Sequence, residues 1–521
     1  VRLYGGARQS RSTIGFGASG QTSADAELHT SLALLRARSR QMVRDSAYAR
    51  RARTMVVNNV IGAGIPLQAQ VVTTRNGQAT AVNDAIEAAW EEWCRPENCH
   101  TGGVLAFADL ERLAMGQVFE TGEIFIRQHY RAFGTSRVPL ALEVIEPERL
   151  PGDIVEPGAA LPGNEMRMGV EVDRFGRPQA IWIRENHPGD IRHGGATARY
   201  ERVPASDVYH LRIVERWPQT RGVPWMHTVL RKLDEVNEYT GLELSAARAG
   251  AAYFATITTP DPQGPLDDEP EDDGTRVMNI DPLTVQQLAP GEELQFHTPN
   301  RPNAALDAII RHMVREIAVG IDGASYEALS ADYSQSNYSS SRMGLLESRD
   351  TWRVLQMWWL RAFRQPLHRL WLRQAVLARA VPGISVDAYA ADPARYEAAR
   401  FKLRGWTWVD PTKEVAAYKE AVKAGFMATS DVIAQTAGGA DVEDVVQSIV
   451  RDRELFDAAD IARDTDVKPQ QAAPAVPAAP AANAQNDTED DTPADSEDDT
   501  GADGPDSGPA RVLPIRRGNT A

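Results

Sequence analysis

"VPWMHTVLRKLDEVNEYTGLELSAARAGAAYF", residues 223–254, is helical by pattern. Val229, Leu233 and Val236 fall on one face, and the later half is rich in Ala and Gly, which lets helices approach closely. Beyond it, "ATITTP" (255–260) and "VMNIDPLTVQQLAPGEELQFHTP" (277–299) read as β and enclose the acidic loop "DPQGPLDDEPEDDG" (261–274). A second helical stretch follows, "RPNAALDAIIRHMVREIAVGI" (301–321). Leu306, Ile309, Ile310, Met313 and Ile317 form its apolar stripe, with Asp307, Arg311 and Arg315 at i,i+4 spacing opposite. Two helices therefore flank a small β module.

Upstream, residues 26–60 are helical in pattern until Gly62 and Gly64 stop the helix and Pro66 opens an extended segment. Further helices are expected over 82–95 and 106–121. Strands then take over in "GEIFIRQHY", "LALEVIEPERL", "MRMGVEVDRFGRPQAIWIREN" and "DVYHLRIV", punctuated by Gly and Pro. This is the pattern of an α+β region with a mainly antiparallel sheet. Downstream comes a plain polar stretch, "EALSADYSQSNYSSSRMGLLESRD" (327–350), and then a long helix carrying Trp352, Leu355 and Trp359. Pro366 lacks a backbone donor and should kink that helix.

The ends differ from this body. Residues 1–25 are rich in Gly, Ser and Arg and read as a flexible arm; residues 466–521 pass from Pro and Ala into an acidic run and read as a disordered tail. Of the formal charge of −16, ten carboxylates lie between Ala482 and Pro509, so the rest of the chain is only mildly acidic. With 42% hydrophobic residues in 521, a large core and more than one folding unit are expected. The two cysteines, Cys94 and Cys99, give no disulfide framework, and with His100 they fall one ligand short of a structural zinc site. Reduced thiols and no metal are expected. No apolar run is long enough to span a membrane, and the first 30 residues lack a signal peptide's apolar core.

Catalytic signatures are wanting. No G-x-x-x-x-G-K-[ST] cradles a nucleoside triphosphate, and "GAGIPL" has Leu67 where a dinucleotide fold needs its third glycine. Neither H-E-x-x-H nor G-x-S-x-G occurs. No catalytic residue and no cofactor is expected.

Six segments, taken in order, resemble the portal proteins of tailed bacteriophages, specifically the lambda-type portal family. They are "NNVIGAGI" (58–65), "GEIFIR" (122–127), "EVIEPERL" (143–150), "RGVPWMHTVLRKLDEVNEY" (221–239), "DYSQSNYSSSRMGLLE" (332–347) and "DPTKEVAAYKEAVKAGFMATSDVI" (410–433). The resemblance covers roughly residues 30–460. It implies an α+β portal-like subunit: an arm (1–25), an α+β wing (26–222), stem helix 1 (223–255), a small β-containing clip (256–300) and stem helix 2 (301–325). A tunnel loop (326–343), a long kinked helix returning through the wing (344–404), crown or crown-proximal helices (405–465) and the tail (466–521) would follow. Asp410 would N-cap the first helix of the crown region, with Pro411 at its first position.

Such subunits form homo-oligomeric rings, usually of twelve, at one capsid vertex, where double-stranded DNA passes without sequence specificity. The terminase, the major capsid protein and the head-tail connector are the partners implied, and the virion, assembled in the bacterial host cytoplasm, the location. The tunnel loop would bring Asp332, Tyr333, Ser334, Gln335, Ser336, Asn337, Tyr338, Ser339, Ser340, Ser341 and Arg342 to the channel. Short hydroxyl and amide groups suit a loop that must slide past any sequence; alternatively they cap helices and satisfy the loop's own backbone. Asp267, Asp268, Glu269, Glu271, Asp272 and Asp273 would crowd carboxylates at the clip for partner docking, or form a solvated surface loop. Another capsid assembly or head-tail adaptor protein, or a nucleic-acid-binding enzyme subunit, is the alternative.

Overall fold

Leu28, Leu32, Ser39 and Met42 share the buried face of helix α1 (Ala24–Asp45), whose first turn is capped by the Ser23 side chain accepting from the Ala26 N–H. The computed structural model of the chain describes residues 22–72, 80–152, 160–190, 199–252, 255–258, 293–296, 305–406, 411–436, 442–459 and 461. The arm up to residue 21, the acidic loop 267–273, Asp410 and the tail 466–521 lie outside the described residues. The chain divides into a unit of residues 1–447, treated below, and one of residues 448–521, of which the end of the last helix is described.

The single helix expected over 26–60 is two. Ser46 is extended (φ −105°, ψ 126°), and α2 (Ala47–Val60) starts anew beyond it, burying Ala49, Ala52, Val56 and Val60. The break lets each helix turn its own apolar face inward. Gly62 and Gly64, at φ +67° and +124°, then redirect the chain into β1 (Leu67–Ala69). Helices α3 (Thr80–Trp93), α4 (Pro96–Cys99) and α5 (Phe107–Thr121) follow.

The strand region holds β2 (Glu123–His129), β3 (Ala141–Ile145), β4 (Glu165–Arg167), β5 (Val170–Val172), β6 (Pro178–Arg184), β7 (Tyr200–Pro204) and β8 (Val208–Arg212). All pairings of these strands are antiparallel, but they make two sheets rather than the one expected: β3-β2-β8 and β4-β5-β6-β7. The reason is visible in the packing. Phe125, Ile145 and Val208 of the first sheet and Val170, Ile181, Ile183 and Val203 of the second bury one another in a core of their own.

Next come α6 (Leu230–Ala252) and the antiparallel pair β9 (Ala255–Thr258) and β10 (Glu293–Phe296), then α7 (Leu306–Val319). On α6, Val229 just ahead of the helix, Leu233 and Val236 are buried as their spacing predicts. On α7 the predicted stripe is covered only in part: Ile317 is buried, Ile310 and Met313 are half-buried and Ile309 is exposed. Helix α8 (Tyr326–Ser330) leads to α9 (Tyr338–Trp359). A π-helical turn, Leu360–Arg364, joins α9 to α10 (Gln365–Leu377). Pro366 sits in the first turn of α10, and the wider π turn absorbs the clash that a proline ring would make with the preceding turn. Helices α11 (Val386–Ala391) and α12 (Pro393–Glu397) precede β11 (Ala399–Phe401), which pairs with β1. The last helices are α13 (Pro411–Lys423), α14 (Thr429–Thr436) and α15 (Val442–Ala458). Among the described residues no helix is long and apolar enough to cross a membrane.

Two buried charge clusters tie these elements together. Glu123 is fully buried, bonded to Arg36 of α1, to Arg221 Nε at 2.7 Å, to His210 Nε2 at 2.6 Å and to the Gly222 N–H at 2.9 Å. Arg221 also donates to the carbonyls of Met168 and Pro147, at 2.5 and 3.1 Å. Burial pushes the Glu123 carboxyl up, but Arg221, Arg36 and the His210 hydrogen bond together hold it far below the usual carboxylate range. In the second cluster, the buried Arg364 guanidinium lies 4.9 to 5.3 Å from the ring centres of Trp90, Phe107 and Phe401, with Glu111 as counterion at 3.5 Å.

A pH dependence follows. Burial, with Arg212 adding to it, pushes His210 down to about 3; burial, with Arg364 adding to it, does the same to His368. Both imidazoles fold neutral, so below their unfolded value of about 6.5 the unfolded chain binds more protons and stability falls. The thermal midpoint should therefore be level above about pH 6.5 and drop continuously toward pH 3, with Glu123 adding to the loss as pH falls below the ordinary carboxylate range. Melting curves between pH 7 and 4 check this; a midpoint insensitive to pH there would contradict the buried neutral histidines.

Candidate nucleic-acid interface

The polar stretch is helical at both ends. Tyr326–Ser330 form α8, capped by Ser325, whose hydroxyl accepts from the Ala328 N–H at 3.2 Å, and Ala331 closes it in the left-handed region at φ +60°. Tyr338, Ser339, Ser340, Ser341 and Arg342, expected within the loop, are the opening residues of α9. Asn337 explains why. Its side-chain oxygen accepts from the Ser340 N–H at 2.9 Å while the Ser340 hydroxyl accepts from the Asn337 N–H at 3.3 Å, a capping box. The non-helical segment is therefore shorter than 326–343 and runs from Ala331 to Asn337.

Within it, Tyr333, Ser334, Gln335 and Asn337 are exposed and Ser336 is half-buried. Ser336 turns back on the loop, donating from its hydroxyl to the Tyr333 carbonyl at 3.0 Å. Asp332 is committed: it accepts from the Ser334 N–H at 3.0 Å and from the Tyr326 hydroxyl at 2.8 Å, with Arg311 of α7 at 3.7 Å. The Ser334 hydrogen bonds, followed by that from Tyr326, pull its carboxyl down to about 2, so it is ionised at neutral pH. Arg342, the one cation between Asp332 and Met343, donates from Nη2 to Glu414 Oε1 of α13 at 3.0 Å. Arg342 is thus paired outside the loop, Asp332 is held by Tyr326 and Ser334 with Arg311 shared between it and Asp307, and neutral polar groups are what Tyr333–Gln335 offer to solvent. Glu414 was not foreseen. Its signal in the sequence, an acid in the first turn after Pro411, reads equally as a favourable helix-end charge.

The other candidate ligands are engaged locally. The Cys99 thiol lies 3.5 Å from the carbonyls of Cys94 and Leu105, and His100 Nδ1 accepts from the Val104 and Leu105 N–H groups at 3.3 and 3.4 Å. Burial pushes the Cys94 thiol well up and the Cys99 thiol to about 12, so both are protonated thiols at neutral pH. Glu146, Glu148 and His187 come together, but Arg40 already pairs with Glu148 at 3.0 Å and Glu146 at 3.5 Å.

Two short family-like segments meet in space. The backbones at Gly122 and Gly222 pack so closely that a Cβ on Gly222 would overlap the Gly122 carbonyl, and one on Gly122 would overlap Val223. "GEIFIR" and "RGVPWMH" are therefore one structural unit, with Glu123, Arg221 and the Gly222 N–H bonded within it.

Known proteins share this sequence at length. The chain is 28% identical over 462 residues to the "Probable portal protein" of Halomonas phage phiHAP-1, spanning 88% of this chain and 87% of that relative. It is 22% identical over 402 residues to portal protein B of Escherichia phage lambda, spanning 72% and 74%. Among solved structures it is similar to a chain in the neck of an empty GTA particle computed with C6 symmetry (TM-score 0.44, 14% identity, 78% of this chain and 94% of that one). It is also similar to an HK97 family phage portal protein from Corynebacterium diphtheriae (TM-score 0.29, 12% identity, 73% and 97%). A family model described as phage portal protein, lambda family, matches residues 10–356, more than half of the sequence, and the chain therefore belongs to the lambda family of phage portal proteins.

Proposed function

We propose that copies of this chain form a closed ring, of twelve in the usual case, at one vertex of the virion, through which double-stranded DNA enters and leaves. Residues 26–222 make the wing, α6 and α7 the stem, β9 and β10 the ends of the clip, α9 and α10 the long helix through the wing, and α13 to α15 the crown region. The terminase, the major capsid protein and the head-tail connector are its partners, and the acidic residues 267–273 of the clip are a docking site among them. No catalytic step is assigned to the chain.

One observation carries the reading of the loop. Arg342 is paired with Glu414 and Asp332 is held by Ser334 and Tyr326, so Tyr333 and Gln335 present neutral hydroxyl and amide groups. Neutral donors make weak, exchangeable contacts with phosphate oxygens of any sequence, whereas free arginines would add a strong, salt-dependent attraction to the duplex. Repetition around a ring makes such weak contacts count. The stem supports the ring: Leu242 and Leu244 of α6 are 62% and 52% exposed, apolar surface that a neighbouring copy would cover.

Replacing Tyr333 by Ala and Gln335 by Gly should change stability by less than about 0.5 kcal/mol, since exposed loop residues contribute little to a core. Rings should assemble, and DNA packaging or retention should fall. Images of the purified variant and a packaging assay on the same preparation decide the matter. Rings with normal packaging and retention would remove the loop from the DNA path, and failure to assemble would make it a structural element of the wing.

A further inference from the structure

Along α9, four side chains meet Arg404, Trp406 and Glu414 in reverse order. Gln356 donates to the Arg404 carbonyl at 3.1 Å. The guanidinium carbons of Arg353 and Arg349 each lie 5.9 Å from the centre of the Trp406 ring, and Trp406 is itself anchored by donating to Asn59 at 3.0 Å. Arg342 closes the series on Glu414 at 3.0 Å. From Gln356 to Arg342 is about 21 Å of helix. Arg404, Trp406 and Glu414 thus lie successively nearer the N-terminus of α9, and the first turn of α13 sits beside the second turn of α9.

Helix stability does not explain Arg342. It lies in the second turn of α9, toward the end where the macrodipole disfavours a cation. Its pairing with Glu414 is also partly sheltered, with side-chain exposures of 34% and 19%, whereas each i,i+4 pair of α6 and α7 has one strongly exposed partner. At the other end of the loop Asp332 faces Arg311 of α7. The loop therefore lies between Asp332, which faces the preceding helix α7, and the first turns of α9, where Arg342 meets a helix that follows about 70 residues later.

We propose that the Arg342–Glu414 pair is a positioning contact that couples the loop 331–337 to helix α13, so that the two shift together. The coupling stands on the geometry alone; its consequence for DNA rests on the reading of the loop as channel lining. If DNA displaces the loop, α13 is displaced with it, and whatever binds or packs on α13 senses the duplex in the channel.

Hydrogen exchange on the assembled full-length protein tests this, comparing wild type with Arg342→Glu, Glu414→Arg and the double exchange of charges. Each single reversal should speed amide exchange about tenfold in both 331–341 and 411–423, as loss of a charge-assisted hydrogen bond allows. The double variant should return both segments to within about twofold of wild type. Acceleration confined to the segment that carries the substitution, or a double variant as fast as the singles, would overturn the coupling. Should a reversal fail to assemble, Arg342→Gln is measured in its place, and unchanged exchange in 411–423 overturns the proposal. DNA retention in the same particles separates the two readings: coupled exchange with normal retention supports the contact and overturns the loop's role on DNA.

Discussion

Glu123→Gln is expected to destabilise the chain by about 3–5 kcal/mol, a large fraction of the stability of a typical domain. The carboxylate is the common partner of Arg36, Arg221, His210 and the Gly222 N–H; Glu123 and Arg221 are essentially fully buried and Arg36 and the His210 ring nearly so. Glutamine matches the volume but removes the charge, leaving two buried guanidinium groups uncompensated. Urea denaturation of purified E123Q, beside E235Q as a control, measures the effect. Glu235 pairs with Arg231 on the open face of α6, and its loss should cost less than about 1 kcal/mol. A stability of E123Q within 1 kcal/mol of wild type would show that the cluster is hydrated and that its burial is not what holds α1 to the sheet.

Gly222→Ala is expected to be as damaging for a steric reason, costing more than about 4 kcal/mol or abolishing soluble protein. The added methyl has nowhere to go, because its nearest neighbours are backbone atoms of Gly122 rather than the end of a flexible side chain. Moving that backbone would also break the Gly222 N–H contact with Glu123. Gly122→Ala meets the same obstacle from the other side and adds the strain of φ +87°. Gly241→Ala is the contrast: a Cβ there meets nothing within 4 Å, the residue is helical, and the change should stabilise α6 by about 0.5–1 kcal/mol. Soluble yield and thermal midpoints of the three variants test the ranking. Equal behaviour of G222A and G241A would mean that the two backbones part more easily than their packing implies.

Much of the secondary structure was legible because it is written in local periodicity. The stop at Gly62 and Gly64, the strands β2 to β6 and β8, and the two β ends flanking the acidic loop follow from residues within a few positions of one another. Ser46 was not legible, since nothing local marks it as a break; it becomes one because α1 and α2 turn separate faces to the core. Strand β7 was missed for a similar reason. Its five residues end in proline and bury only Val203 completely, so the strand exists by pairing with β6 rather than by its own pattern. The interruption before Pro366 was placed correctly, but its form, a π turn, depends on the packing of Trp359, Phe363 and Arg364.

The candidate site divides along the same line. Short polar side chains between two apolar helices announce a loop, and the order of the family-like segments announces the portal family, because both are properties of the chain read in one dimension. Where the loop ends was settled by the Asn337 capping box, a signal present in the sequence but indistinguishable from the surrounding serines without the backbone angles. Which charges remain available was decided by tertiary structure alone. Arg342 reads as a free cation until the fold brings Glu414 to it from 72 positions away, and Asp332 reads as a free acid until α7 and Tyr326 close on it. A charge's partner is set by distance in space, and electrostatic energy falls with that distance rather than with separation along the chain.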